Sequence, residues 1–203
     1  MRAGLEKFEF TATEKTTIAS AMALPRPWDC PTIAEIKSRI KAFHLGFGND
    51  LCCYCYRDLQ GEFSMVVDIE HILPKRHYKE LTFDMRNLSV ACKRCNMKMK
   101  RDNMDFVSQP LALSDVEDSG KYKLVHPNID LRDAHLQRAV LQLNSSKIVK
   151  YVPRTDKGRF AYGYFHLHEF EVDSYDAAQG AQQPPPAEAK AVASVRELVK
   201  EIS

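Results

Sequence analysis

The sequence has no long apolar run. Its longest hydrophobic stretches fall far short of the ~18 residues that a membrane-spanning helix needs, which excludes a helical membrane protein. The amino-terminal residues Met1-Arg2-Ala3-Gly4-Leu5-Glu6-Lys7 lead into no signal-peptide core, so a cytoplasmic location is expected. No internal repeat is present, which excludes a solenoid or propeller. The chain also lacks a strong overall charge: its net value is +2, too small to argue for or against any partner. With 203 residues, 44% hydrophobic and 28% charged, it suits a soluble domain, or a domain with an appendage, that buries a sizeable core.

What is present is concentrated in residues 51–101. This stretch opens on Cys52-Cys53-Tyr54-Cys55 and closes on Cys92-Lys93-Arg94-Cys95-Asn96. In a reducing compartment, paired cysteines point to metal rather than to disulfides. Each C-x-x-C spacing lets a tight turn aim two sulfurs at one ion, and two such turns complete a closed four-thiolate zinc site. Cys52, Cys55, Cys92 and Cys95 are the expected ligands, with Cys53 as the alternative to Cys52. Cys30 stands apart and is expected to be a buried thiol. The pairs are separated by the 36 residues 56–91, longer than a simple zinc ribbon requires. Zinc held in this way supplies folding free energy and has no open position for a substrate.

The long gap holds Glu70-His71-Ile72-Leu73-Pro74-Lys75, then Asn87-Leu88, and Asn96 follows the last cysteine. A neutral imidazole can take a proton from water near working pH, so His71 is the candidate general base. A divalent cation can bind a scissile phosphate and stabilise the departing oxygen. Magnesium prefers oxygen donors, which Glu70 and the Asn96 side-chain carbonyl supply. Asn87 is expected to hold the imidazole in its productive tautomer. The charge distribution agrees: residues 75–101 contain nine Lys/Arg against Glu80 and Asp84, so the window carries +7 and the remainder −5. Lys75, Arg94 and Lys98 are the expected phosphate contacts.

The order C-x-x-C, E-H-x-x-P-K, N-L, C-x-x-C-N, then Lys98 resembles the HNH endonuclease family in its zinc-bearing branch. That family usually has Asp-His where this chain has Glu70-His71, and often His where it has Asn96. The resemblance implies an α+β fold: a ββα-metal (His-Me finger) core stapled by four cysteines, with flanking helices and a small C-terminal β-hairpin region. It implies His71 as general base, Glu70 and Asn96 as ligands of a catalytic Mg²⁺ or Mn²⁺, Asn87 as orienting residue, and zinc on the four cysteines. DNA is the implied substrate, with RNA open, and a zinc-stabilised, non-catalytic nucleic-acid-binding module is the alternative. More narrowly, Cys-x-Tyr-Cys, Ile69-Glu70-His71-x-x-Pro74-Lys75 and the later Val125-His126-Pro127-Asn128-Ile129-Asp130 are similar to the HNH subunits of Septu-type and retron-linked anti-phage systems. That likeness implies an antiviral nuclease working with a protein partner, an ABC-class ATPase.

Around this core the reading is coarser. Residues 1–48 are expected to form a helical segment, with a helix over 14–24 and a second over 32–44. Thr32 and Glu35 would form a capping box on the second helix, and Ile33, Ile36, Ile40 and Phe43 its apolar stripe. The nuclease core would span 49–108. An α/β extension over 109–175 would hold a helix at 131–143 and strands at 147–152 and 160–172. Residues 176–186 read as a Pro/Gln/Ala linker. Residues 187–203 read as a terminal helix that either docks on a partner or folds back on its own core.

Overall fold

The computed structural model describes residues 3–108, 111–143, 146–173 and 186–201. The fold is mixed α and β, in two compact units: Met1–Tyr122 with His126–Asp130, and Lys123–Val125 with Leu131–Ser203.

In the first unit, α1 spans Ala12–Met22 and α2 spans Ala34–Phe47. The capping box falls on α1. Thr11 Oγ1 accepts from Glu14 N at 3.2 Å, and Glu14 Oε2 accepts from Thr11 N at 2.8 Å. The box expected at Thr32 is absent, because a 3-10 turn over Pro31–Ile33 runs into α2 and makes Ile33 its N-cap. Two prolines close to the helix start (Pro27, Pro31) favour turns there over a side-chain cap. Glu14 also accepts from Arg39 of α2, tying the two helices together.

Two short antiparallel strands follow, β1 (Val67–His71) and β2 (Leu88–Cys92), in a register that pairs Glu70 with Ser89 and His71 with Leu88. Alternation along β1 sends its side chains to two sides. Ile69 packs with Ile36, Ile40 and Leu88 in the core beneath α2. Asp68 and Glu70 meet the turn of helix that follows β2. Each isoleucine buried there contributes roughly 1.5–3 kcal/mol. That following helix, Arg94–Lys100, is a π-helix. Its wider turn stacks residues five apart, so Cys95 and Lys100 both point inward. Lys98 of this segment is exposed, but Lys100 is fully buried.

The segment from His126 to Asp130 braces the site from behind. Asn128 Nδ2 donates to Arg86 O at 2.8 Å and Leu88 O at 2.7 Å, fixing the 3-10 turn Met85–Asn87 that enters β2. Asp130 Oδ2 accepts from His126 N at 2.7 Å and holds this loop closed.

In the second unit, the helix expected over 131–143 is one turn, α3 (Arg132–His135), followed by β3 (Leu136–Leu143). β3 pairs with β4 (Ser146–Pro153), so the hairpin uses a segment read as helical. The segment read as a second strand is instead α4 (Asp156–Tyr164), a 3-10 turn Leu167–Phe170 and the two-residue β5 (Val172–Asp173). Thr155 caps α4 by accepting from Gly158 N at 3.3 Å. That cap makes Asp156-Lys157-Gly158 the first turn of the helix. Gly158 is required there, since a Cβ would sit 1.8 Å from His135 O. α5 (Pro186–Glu201) lays Val192 and Val195 against Ile148 and Leu141 of its own unit. Of the expected linker, residues 176–185 lie outside the described residues.

Candidate active site

The cysteines converge as their spacing requires. The sulfurs of Cys52, Cys55, Cys92 and Cys95 all lie within 4.8 Å of one another, and all four residues are buried. Cys55 Sγ and Cys92 Sγ are 3.8 Å apart. A zinc ion with ~2.3 Å bonds to four thiolates gives tetrahedron edges of ~3.8 Å, so the cage fits zinc. Cys92 N donates to Cys52 Sγ at 3.3 Å, the kind of bond that settles a thiolate. Contact with Cys52 is the first cause that pushes the Cys55 and Cys95 thiols well up, while it draws Cys92 down. A cation is what allows all four to ionise together. Cys53 is not part of the cage, and its backbone N–H donates to Val90 O at 3.0 Å. Cys30 is half-buried rather than buried, with its sulfur 3.1 Å from Thr32 Oγ1.

A cleft of about 640 Å³ lies beside the strands, lined by Asp68, Glu70, His71, Lys75 and Asn96 among others. Of the predicted site residues, the structure brings together Glu70, His71, Asn96 and Lys75 here. Arg94 lines a separate hollow with Arg57, and Lys98 is exposed away from the cleft lining.

His71 is buried, with its ring edge-on to Trp28 at 4.5 Å between centroids. Its Nε2 lies 3.0 Å from Thr82 O. A carbonyl only accepts, so Nε2 carries the proton and Nδ1 is the basic nitrogen. The partner expected for this ring was Asn87, and the structure gives that place to Thr82. Asn87 acts one step back. Its Oδ1 accepts from Leu73 N at 2.7 Å, and its Nδ2 donates to Leu73 O at 3.0 Å and Leu81 O at 3.3 Å. It thereby holds both ends of the loop that presents the Thr82 carbonyl. Burial is the first cause that lowers the His71 pKa to about 3, with Lys75, Lys100 and Lys37 adding to it and the Thr82 bond opposing.

Glu70 is buried in an ion pair that sequence reasoning missed. Lys100 Nζ is 2.7 Å from Glu70 Oε1, both side chains being almost wholly inaccessible, and Tyr54 Oη donates to the same oxygen at 3.0 Å. Lys100 Nζ also donates to His71 O at 2.9 Å. Burial pushes the Glu70 carboxyl up, and Lys100 and then Tyr54 oppose it. Asn96 Nδ2 donates to Asp68 Oδ2 at 3.0 Å. Glu70, Asn96 and Asp68 all line the cleft, and oxygen-bearing side chains are the type that a hard divalent cation takes.

The cleft's other wall comes from outside the cysteine-bounded stretch. Trp28, Lys37 and Lys41 line it; Lys37 Nζ sits 5.0 Å from the Trp28 ring centroid, and Lys41 Nζ donates to Val67 O at 2.7 Å. The apolar stripe of α2 was legible, and Lys37 and Lys41 follow its Ile36 and Ile40 directly. That adjacency is the only sequence signal that could have placed them here.

Residues 52–102 match the family model described as HNH endonuclease. The chain therefore carries an HNH endonuclease domain over this stretch, with the four-cysteine cluster at its ends. A curated relative, "Septu protein PtuB" of Bacillus thuringiensis, is 28% identical over 135 residues. The alignment takes in 66% of this chain and 43% of that protein, so the chain spans less than half the length of the curated relative it matches. No solved structure matches the chain significantly. Among the described residues, no helix is long and apolar enough to cross a membrane.

Proposed function

We propose that this chain is a metal-dependent endonuclease that hydrolyses DNA phosphodiester bonds, with His71 as general base and Glu70 and Asn96 as ligands of Mg²⁺ or Mn²⁺. The observation that carries the reading is the His71 imidazole, pinned through Nε2 to Thr82 O in the same cleft as Glu70 and Asn96. The strand–strand–helix order of β1, β2 and the π-helix supports a ββα-metal core.

His71 is neutral at working pH, and Nδ1 is the nitrogen able to take a proton from an attacking water. A phosphodiester in the cleft brings negative charge beside Lys75 and Lys37. Burial is the main cause that lowers the imidazole's pKa in the free chain, with Lys75 and Lys37 adding to it, and the phosphate charge offsets the lysine part of that shift. Thr82 keeps the ring from rotating during that transfer. Lys75 and Lys41 offset the phosphate charge and position the backbone without reading sequence. A divalent cation, when bound by Glu70 and Asn96, supplies charge stabilisation at the departing oxygen. The cysteine-held zinc fixes the ends of this frame and takes no part in the reaction. The likeness to a Septu protein supports a place in anti-phage defence with a protein partner, and the motif resemblance implies an ABC-class ATPase as that partner.

The test is nicking of supercoiled plasmid with Mg²⁺ or Mn²⁺. His71→Ala should lose about 10²–10⁴-fold in rate. A variant that nicks as fast as wild type would remove His71 from the chemistry.

A further inference from the structure

We propose that Asp68 is the positioning residue for Asn96: it decides which end of the Asn96 amide faces the ion-binding part of the cleft. The inference rests on the nuclease reading above and concerns a side chain that reading leaves without a role.

A carboxamide presents a carbonyl oxygen at one end and an NH₂ group, of nearly the same shape, at the other. Only the oxygen can bind a cation. Nothing in the covalent structure of Asn96 favours one orientation over its flip, so hydrogen-bond partners must choose. Asp68 makes that choice. Its Oδ2 accepts from Asn96 Nδ2 at 3.0 Å. An ionised carboxylate has no proton to donate, so the flipped amide would set oxygen against oxygen. The Asp68 carboxylate is itself held, because Lys93 Nζ lies 3.1 Å from its Oδ1. Among the described residues, the Asn96 side-chain oxygen accepts from no protein group, and it is the end left for a cation.

The placement follows from the strand. Asp68 and Glu70 are two residues apart on β1, so both side chains leave the strand on the same side. Glu70 reaches Lys100 of the π-helix, and Asp68 reaches Asn96 of the same helix. One strand thus carries a candidate ligand and the group that orients its companion. Partners of this kind typically change metal affinity by about 10–100-fold.

The experiment measures Mn²⁺ affinity of the zinc-loaded full chain by titration calorimetry, in Asp68→Asn and Asp68→Ala. Both variants remove the same negative charge, so the difference between them reads the amide alone. Asp68→Asn introduces an NH₂ group that can donate to the Asn96 oxygen and favour the wrong flip, and Asp68→Ala cannot. Mn²⁺ binding should weaken about tenfold or more in Asp68→Asn and several-fold less in Asp68→Ala. In an Asn96→Ala background the two Asp68 variants should bind alike. Equal affinity in the two single variants overturns the inference, as does a difference that survives loss of Asn96. Unchanged zinc content and melting temperature in Asp68→Asn exclude a folding effect, and Asp68→Ala supplies the comparison independently of its activity. Wild type that binds no Mn²⁺ sinks the nuclease reading and this inference with it. Wild type that binds Mn²⁺ and nicks plasmid, with the two variants alike, sinks the inference alone.

Discussion

Replacing Lys100 by methionine should be among the most destabilising single changes in the first unit. Methionine keeps most of the side-chain volume and loses only the ammonium. Lys100 Nζ lies 2.7 Å from Glu70 Oε1, with 1% and 2% of the two side chains exposed. Without it Glu70 keeps one hydrogen bond, from Tyr54, and only the weaker influence of Lys75 to offset its buried charge. Removing one member of a buried pair costs about 3–5 kcal/mol, or a factor of roughly 150 to several thousand in the folding equilibrium. Glu70→Gln should show a loss of the same sign. It should be smaller, because the ammonium retains His71 O at 2.9 Å. The double variant Lys100→Met/Glu70→Gln should recover most of the loss, since replacing both charges is often close to neutral. The assay is urea unfolding of the zinc-loaded chain at pH 7, followed by Trp28 fluorescence. Trp28 is the single tryptophan and sits against His71, so it reports on this unit. A Lys100→Met loss under about 1 kcal/mol, the scale of an exposed pair, would refute the reasoning. Strict additivity in the double variant would refute it as well.

Two other outcomes are expected. His44 is buried, with neither ring nitrogen hydrogen-bonded among the described residues, and burial lowers its pKa to about 4. The folded state therefore resists a proton that the unfolded chain accepts below about 6.5. The stability linked to this residue is complete above that pH and is lost as the pH falls toward 4. The loss runs at about 1.4 kcal/mol per pH unit, so His44→Leu should remove about 2 kcal/mol of the change in unfolding free energy between pH 7 and pH 5. An unchanged pH dependence in that variant would contradict the burial argument. Cys92→Ser should abolish stoichiometric zinc and red-shift Trp28 emission as the unit loosens. A folded variant with full zinc content would exclude the four-cysteine cage.

The cysteine cage was legible because its rule is local: two C-x-x-C turns need only be brought together once. The C-x-x-C spacing already favoured Cys52 over Cys53, and the folded turn bears that out by bringing the Cys52 sulfur among the other three. The second unit was misread because its rule is not local. Residues 131–143 carry apolar side chains at a spacing that serves a helix or a half-buried strand, and pairing with β4 decided for the strand. At 160–172 the aromatic residues suggested a strand. The Thr155 cap started a helix instead, at a place where Gly158 leaves room for His135 O.

The sequence by itself singled out the residues proposed to carry the chemistry: the four thiols, His71, Glu70 and Asn96, whose types and order are specific wherever they sit. The tertiary structure alone decided what those residues touch. Lys100 reads in the sequence as one of nine surface cations, and the wider turn of a π-helix carries it inward to Glu70. Thr82 O, not Asn87, holds the His71 ring, because the loop between β1 and β2 folds back over the imidazole. Trp28 and Lys37 reach the cleft from a segment far from the motif, through the burial of α2 on β1 and β2. Ionic and hydrogen-bonded partners are set by distance in space, and a linear pattern records distance only along the chain.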